Sequence, residues 1–332
     1  MIDKAYEELI KMKEKIMRDS HAIHKELSES VESILNELWI NYSPESVEHS
    51  KKLLAIDGGM WVKETRQGVI FIVNAKAIVF EGINEINSEG KVLVHIFSPG
   101  NYAKERIELL MQLLELQLAL KLVENVDYVL LDGSFSKKLG RHKSELKLDL
   151  LDDIVSIDKI LSLEEKDEDN MLRFLIAENQ LVLSELVSRY KDKLLFISKN
   201  SKSSDLFKQA YSDITILELF TQDCGYSKIL EKKIDENYIL SRKASKLLSG
   251  LNYYFTNVRL EPSERLFRLD FFSADRIFEY LKVLKPVSLK GYPYPLIKVH
   301  KDVRVGKEDR ERIYSILEMK RKDISWWPSQ FY

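Results

Sequence analysis

Two apolar runs in this chain each stop at an aspartate followed by glycine: Leu53, Leu54, Ala55 and Ile56 before Asp57-Gly58-Gly59, and Tyr128, Val129, Leu130 and Leu131 before Asp132-Gly133-Ser134. Apolar runs without polar alternation mark strands buried on both faces, so both belong inside a sheet that helices cover. Asp-Gly at the end of such a strand has an ordinary reading as a turn. It has a sharper one as a metal ligand presented at the rim of the sheet.

The surrounding segments set the fold class. From residue 1 to about 40, apolar residues recur at helical spacing (Ile2, Tyr6, Leu9, Ile10, Ile16, then Leu27, Val31, Leu35, Leu38), predicting one long or two shorter amphipathic helices. Leu53–Ile56, GVIFIVNAKAIVFEG and KVLVHIFSP predict an antiparallel meander. A helix in SPGNYAKERIELLMQLLELQLALKLVENV leads to the strand Tyr128–Leu131. A charged, mostly helical stretch from Lys137 to Tyr190 and a strand in KLLFISKNSKSS follow. In this α/β order the first strand can lie beside the fourth. The final third adds the helix DENYILSRKASKLLSGL, the strand RLFRLDFFS, the helix SADRIFEYLKVL and a proline-broken segment, GYPYPLIKVHKDVRV. A helix near Lys307–Lys322 and the tail ISWWPSQFY close the chain. Trp326, Trp327 and Phe331 in that tail are too apolar for free exposure and are expected to pack on the core or on a sister subunit.

With 332 residues, 45% apolar and only 12 Gly and 7 Pro, the chain can build a large core. Its 51 basic and 53 acidic residues leave a net charge of −2, so binding to nucleic acid would rest on a local basic groove rather than on a global excess. The single Cys224 excludes an intramolecular disulfide and a multi-cysteine zinc site, as suits a reducing compartment. No apolar run approaches the roughly 20 residues that span a bilayer, and the amphipathic start is unlike a signal peptide. A cytoplasmic protein is expected.

If the two Asp-bearing strands are parallel neighbours in register, their carboxylate positions lie about 4.8 Å apart. Bare carboxylates at that spacing repel, and a divalent cation removes the conflict. A third ligand can be sought on the intervening helix. There Arg106, Gln117, Lys121 and Glu124 form a polar stripe expected to face solvent, while Glu108, Gln112 and Glu115 lie opposite among leucines. Glu115 sits ten residues before the helix end, about 15 Å up at 1.5 Å per residue. Asp132 is five residues up its strand, about 16 Å at 3.3 Å each. Glu108 would overshoot by about 10 Å, which favours Glu115.

Asp, Glu and Asp on the first strand, the following helix and the fourth strand is the layout of RNase H-like nucleases, in which two metals about 3.5–4 Å apart serve phosphodiester hydrolysis. The motifs LLAIDGGMW, VLLDGSFS and GYPYPLIKVHKD, in this order, resemble the NurA nuclease family across essentially the whole chain. The resemblance implies an α/β fold with an RNase H-like mixed sheet flanked by helices, a helical insertion and an N-terminal helical extension. The single domain 1–332 then divides into the extension 1–50, the core 51–140 and 190–306, the insertion 141–189 and a C-terminal helix and tail 307–332. It also implies a homodimeric, Mn²⁺-dependent (or Mg²⁺-dependent) deoxyribonuclease with two ions per site. Such an enzyme is expected to be a 5′-to-3′ exonuclease with single-strand endonuclease activity, acting in DNA end resection with a HerA-type hexameric ATPase translocase. By motif, Asp57, Glu115, Asp132 and His300 take metal and catalytic positions, and Tyr292 that of a nearby tyrosine.

Lys199 and Lys202 follow a strand and can pair with phosphates. Arg259, Arg265, Arg268 and Lys298, interleaved with Tyr253, Tyr254, Phe255 and Tyr294, can line a single-strand channel. Asp270 interrupts an apolar strand, where it would assist the metals or form an edge-strand salt bridge. Two other classes compete: an actin-like phosphotransferase, which needs a Gly-rich adenosine site not evident among these glycines, and a non-catalytic adaptor that docks DNA to an ATPase.

Overall fold

The structure, a computed structural model, describes residues 2–45, 50–65, 68–98, 100, 102–140, 154–162 and 168–317. Residues 141–153 and 163–167 of the predicted helical stretch, the predicted helix beyond 317, and Trp326, Trp327 and Phe331 lie outside the described residues.

The amphipathic start is one helix, α1 (Ile2–Leu38), of 37 residues. At its C-terminal end Leu27 and Val31 are buried with Phe207, Ile214, Leu217 and Leu266, while Ile2, Tyr6, Leu9, Ile10 and Ile16 remain exposed. After the short β1 (Trp39–Asn41) comes the predicted antiparallel meander: β2 (Lys52–Glu64), β3 (Val69–Glu81) and β4 (Asn84–Phe97). Helix α2 (Ala103–Leu122) returns the chain to β5 (Tyr128–Asp132), which lies parallel to β2. Beyond α3 (Phe135–Leu139), α4 (Ile157–Leu161) and α5 (Glu168–Tyr190), β6 (Leu194–Ser198) runs parallel to β5. The order β4-β3-β2-β5-β6 is the expected RNase H-like core, with the fourth strand beside the first.

The sheet extends further through elements that the sequence patterns did not reveal: β7 (Gly225–Ser227), β8 (Leu230–Lys233) and β9 (Asn252–Arg259). They follow α6 (Asp213–Phe220), and α7 (Arg242–Leu248) separates β8 from β9. Together with β10 (Phe267–Phe271) they continue the order as β1-β7-β9-β10-β6, with β8 pairing onto β9. Helix α8 (Ile277–Leu284), the hairpin β11 (Ser288–Leu289) and β12 (Tyr292–Pro293), α9 (Tyr294–Val303) and α10 (Lys307–Ile316) complete the described chain.

Side-chain alternation assigns each functional position to a face. Leu54 and Ile56 of β2 enter the core under α2 and α5, whereas Leu53 and Ala55 enter the core under α8 and α9. All four are fully buried, which explains a run with no polar alternation. The same alternation continued along β2 and β5 turns Asp57 and Asp132 toward the α8/α9 side and Gly58 toward α2.

Two local expectations need correction. β2 does not end at Asp57: Asp57, Gly58 and Gly59 pair with Lys76, Ala75 and Asn74 of β3, and the strand continues to Glu64. On α2, Arg106 is 2% exposed rather than solvent-facing. Helix α5 packs across α2, with the Asn179 amide donating to the Leu109 carbonyl at 3.0 Å. Beneath it the Arg106 guanidinium lies 4.5 Å over the Phe97 ring. A helical wheel that supposes one buried face fails for a helix packed on both sides.

Candidate active site

Register brings the two aspartates level. β2 and β5 pair from Leu53 with Tyr128 through Ile56 with Leu131, so the next residue on each strand is its aspartate. From there the two motifs diverge. After Asp132 the chain turns away at Gly133, whose φ of +94° suits glycine and strains any L side chain. At Asp57 the strand continues straight, and its glycines clear space instead. A Cβ on Gly58 would stand 2.6 Å from Glu115 Oε1 and from Met111 Cγ, and one on Gly59 would collide with the Val303 carbonyl at the end of α9. Because β5 stops at Asp132 while β2 runs on, this bare stretch of β2 admits α2 from one face and α9 from the other.

From α2 comes Glu115, 5% exposed, with Oε2 accepting from the Lys138 ammonium at 2.6 Å. One helical turn earlier, the Gln112 amide donates to the Lys138 carbonyl at 2.7 Å and fixes that lysine's backbone. Glu108 points outward, half-exposed, 3.9 Å from Lys104. From α9 comes His300, whose Nδ1 lies 2.6 Å from Asp57 Oδ2. The helix is held by buried Leu296, Val299 and Val303 and by Asp302, which accepts from Lys76 at 2.6 Å. The segment read as proline-broken is thus a turn and a helix. Lys290 and Gly291, with φ of 52° and 75°, close the β11–β12 hairpin. Pro295 occupies the first turn of α9, where a missing N–H costs little. Tyr292, directly after the turn, donates its hydroxyl to Asp132 Oδ1 at 3.2 Å, and the Lys199 ammonium lies 4.5 Å over its ring.

The electrostatics tie the carboxylates together. Burial, then the Asp132 charge, push the Asp57 carboxyl above its ordinary range, against the lowering effect of His300. Glu115 is raised by burial, opposed by Lys138, and raised again by Asp57 and Asp132. The Tyr292 phenol is driven well up by burial and by Asp132. Among the described residues, no group of three or more His, Cys, Asp or Glu side chains stands, as placed, where it could hold a metal ion. Each acid instead has its own partner: Lys138 for Glu115, His300 for Asp57 and Tyr292 for Asp132.

Beside Asp132 opens a cleft of about 640 Å³ lined by Ser134, Ser136, Lys137, Lys199, Lys202 and Arg268, among others. Lys199 and Lys202 are thus both at this cleft. Arg268, at its margin, is buried and engaged: Nε donates to Asp270 Oδ1 at 2.5 Å, and the guanidinium lies 3.8 Å over Phe255. Asp270, fully buried, also accepts from the Phe135 N–H at 2.9 Å, which accounts for a carboxylate in an apolar strand without a metal. The other residues suggested for a single-strand channel are dispersed. Arg259 is buried against Thr221 and the Glu264 carbonyl, and Lys298 is paired with Asp302 and Glu85. Tyr253 and Phe255 are core residues, Tyr294 packs edge-on against Phe80, and Arg265 borders an adjoining cleft that shares Lys199 and Lys202 with the first. Lys138 was not anticipated, since one of two adjacent lysines in SFSKKL gives no signal of burial. Gln112 lies on the inward face its spacing predicts, where its role is to hold the Lys138 carbonyl.

An RNase H-like α/β sheet with carboxylates from two adjacent parallel strands and a helix, a histidine over one aspartate and a lysine-lined cleft alongside defines the structural class. Residues 51–305 match the NurA domain family, and the chain belongs to it. It is 98% identical to the DNA double-strand break repair nuclease NurA of Sulfolobus acidocaldarius, over all of both chains. The crystal structure of the NurA nuclease from Sulfolobus solfataricus superposes with a TM-score of 0.82 at 35% identity, covering 99% of this chain and 100% of that one. A crystal structure of NurA bound to dAMP and manganese shares the fold, with a TM-score of 0.62 at 14% identity over 96% and 98% of the chains. Among the described residues no helix is long and apolar enough to cross a membrane.

Proposed function

We propose that this chain is a metal-dependent DNA nuclease that hydrolyses phosphodiester bonds. We place it in DNA end resection at double-strand breaks, as the sequence resemblance implies: a homodimeric cytoplasmic enzyme working as one domain with a HerA-type hexameric translocase. Its activity would be 5′-to-3′ exonucleolytic, with single-strand endonuclease cleavage. The observation that carries the reading is the electrostatic burden on Asp57 and Glu115, buried carboxyls whose proton affinity is raised by burial and then by neighbouring carboxylate charge, Asp132 on Asp57 and both aspartates on Glu115. A divalent cation relieves that burden. The donor set, carboxylate oxygens with one imidazole nitrogen, suits Mn²⁺ and, less well, Mg²⁺. Glu115 Oε1, facing the bare Gly58, is a donor left open by the fold.

Bound metal, two ions in the working complex, would supply an activated water and Lewis-acid stabilisation of the departing oxygen. The chain's own groups do the rest. Asp57, Glu115 and Asp132 hold the cations. Tyr292 fixes one oxygen of Asp132 and leaves the other open. With Nδ1–H donating to Asp57, His300 presents Nε2 as a lone-pair acceptor for a metal or for a proton of the attacking water. Lys199 and Lys202 hold substrate phosphates, and Arg268 lends positive charge at the cleft margin.

The test is cleavage of end-labelled single- and double-stranded DNA with Mn²⁺ or Mg²⁺, with and without the ATPase. Asp57→Ala should fold and lose cleavage. Full Mn²⁺-dependent activity of that variant would end the assignment.

A further inference from the structure

Lys138 lies within the carboxylate cluster, and no part of the proposed chemistry uses it. It is 7% exposed, and its ammonium is 2.6 Å from Glu115 Oε2. Its position is imposed from several directions. Phe135, three residues earlier, is buried among Phe196, Tyr253 and Phe272, and its N–H is held by Asp270. Ser134 accepts from the Lys137 N–H at 3.3 Å, and Gln112 holds the Lys138 carbonyl. A lysine fixed in this way has little freedom to leave its carboxylate. The pair therefore divides the two oxygens of Glu115: Oε2 belongs to Lys138, and Oε1 faces Gly58.

We propose that Lys138 is a positioning residue for metal loading: it holds Glu115 to a single open oxygen and counts as a built-in cation of the site. The inference rests on the metal-site reading above. Three carboxylates against one ammonium leave two negative charges, which one divalent ion neutralises. Lys137, Lys199 and Lys202, which line the adjoining cleft, are exposed, where solvent screens them. Beside the buried Glu115 and Asp57 a second divalent ion would leave positive charge in excess. The protein alone therefore takes up one divalent cation, and the second enters with the anionic phosphodiester of the substrate.

The experiment counts bound Mn²⁺ on the full chain by calorimetry, with free Mn²⁺ followed by its paramagnetic resonance signal. It is run without DNA and with a cleavage-resistant phosphorothioate oligonucleotide. The wild type should bind one ion alone and two with the oligonucleotide. Lys138→Met should bind the first ion about tenfold or more tightly, because a like charge is gone. Lys138→Arg should keep the wild-type count. Two ions on the wild type without DNA, or a Met variant with unchanged or weaker binding, overturns the proposal. The wild-type arm decides even if the Met variant does not fold. No Mn²⁺ binding by the wild type under either condition would instead count against the metal-site reading itself.

Discussion

Glu115 Oε1 stands 2.6 Å from the point a Cβ on Gly58 would occupy, so a carboxylate carried by α2 rests against the bare backbone of β2. Gly58→Ala should push Glu115 and Met111 aside, costing about 1–3 kcal/mol of stability by overpacking and weakening Mn²⁺ binding by the folded protein. Gly90→Ala, where the added carbon would meet only the Ala75 carbonyl at an ordinary 3.6 Å, should stay within about 0.5 kcal/mol. Denaturant unfolding and metal titration of both variants check the pair.

Tyr292→Phe removes one hydroxyl and keeps the ring between Phe267 and Lys199. Stability should change by about 1 kcal/mol or less. Mn²⁺-dependent cleavage should fall at least tenfold as Asp132 loses its orienting donor. A rate equal to wild type would remove Tyr292 from the site.

Asp270 is expected to matter for folding and not for metal. Asp270→Ala strands the buried guanidinium of Arg268 and frees the Phe135 N–H, a loss of about 3–5 kcal/mol. Any folded fraction should bind Mn²⁺ with wild-type affinity. A reduced affinity in folded protein would make Asp270 part of the centre after all.

Glu178 on α5 supplies a pH test remote from the site. Its side chain is buried, Oε1 accepts from the Val155 N–H at 2.8 Å, and burial pushes its carboxyl up to about 7 from 4.5. The folded state thus retains a proton that the unfolded chain releases. Its contribution is complete below about pH 4.5 and is lost as pH rises through 7. Glu178→Gln keeps the acceptor and abolishes the titration. Its stability relative to wild type should therefore rise between pH 6 and pH 8, by about 1 kcal/mol. Thermal unfolding at the two pH values measures it.

Lys202→Ala, at the cleft beside Asp132, should weaken single-strand binding evenly across sequences. The slope of log affinity against log salt should become shallower by about 0.7. Fluorescence anisotropy in EDTA across a salt series reads both without cleavage.

The core strands β2 to β6 and the inward face of Glu115 were legible, the strands from their β-branched apolar runs and the face from the 3.6-fold helical period. The buried Arg106 was not, since nothing in α2 announces that α5 will cover its second side. The two Asp-Gly motifs look alike in sequence, yet one is a turn and the other an extended strand. The difference lies in what approaches Gly58 and Gly59 from α2 and α9, a tertiary fact. β1, β7 and β8 are three or four residues long, too short for alternation to show. His300 and Tyr292 came only from family motifs, since a histidine on one helix gives no local hint that an aspartate 243 residues away will meet it.

That separation bears on biosynthesis. A ribosome releases β2 early, but the segment bearing Tyr292 and His300 emerges only when most of the chain is made, and α9 must still seat its final carbonyl against Gly59. A nascent chain, or a proteolytic remnant ending before the β11–β12 hairpin, can carry the aspartates yet lacks the tyrosine and histidine that stand over them. The assembled centre thus arises only once the chain has been made through α9.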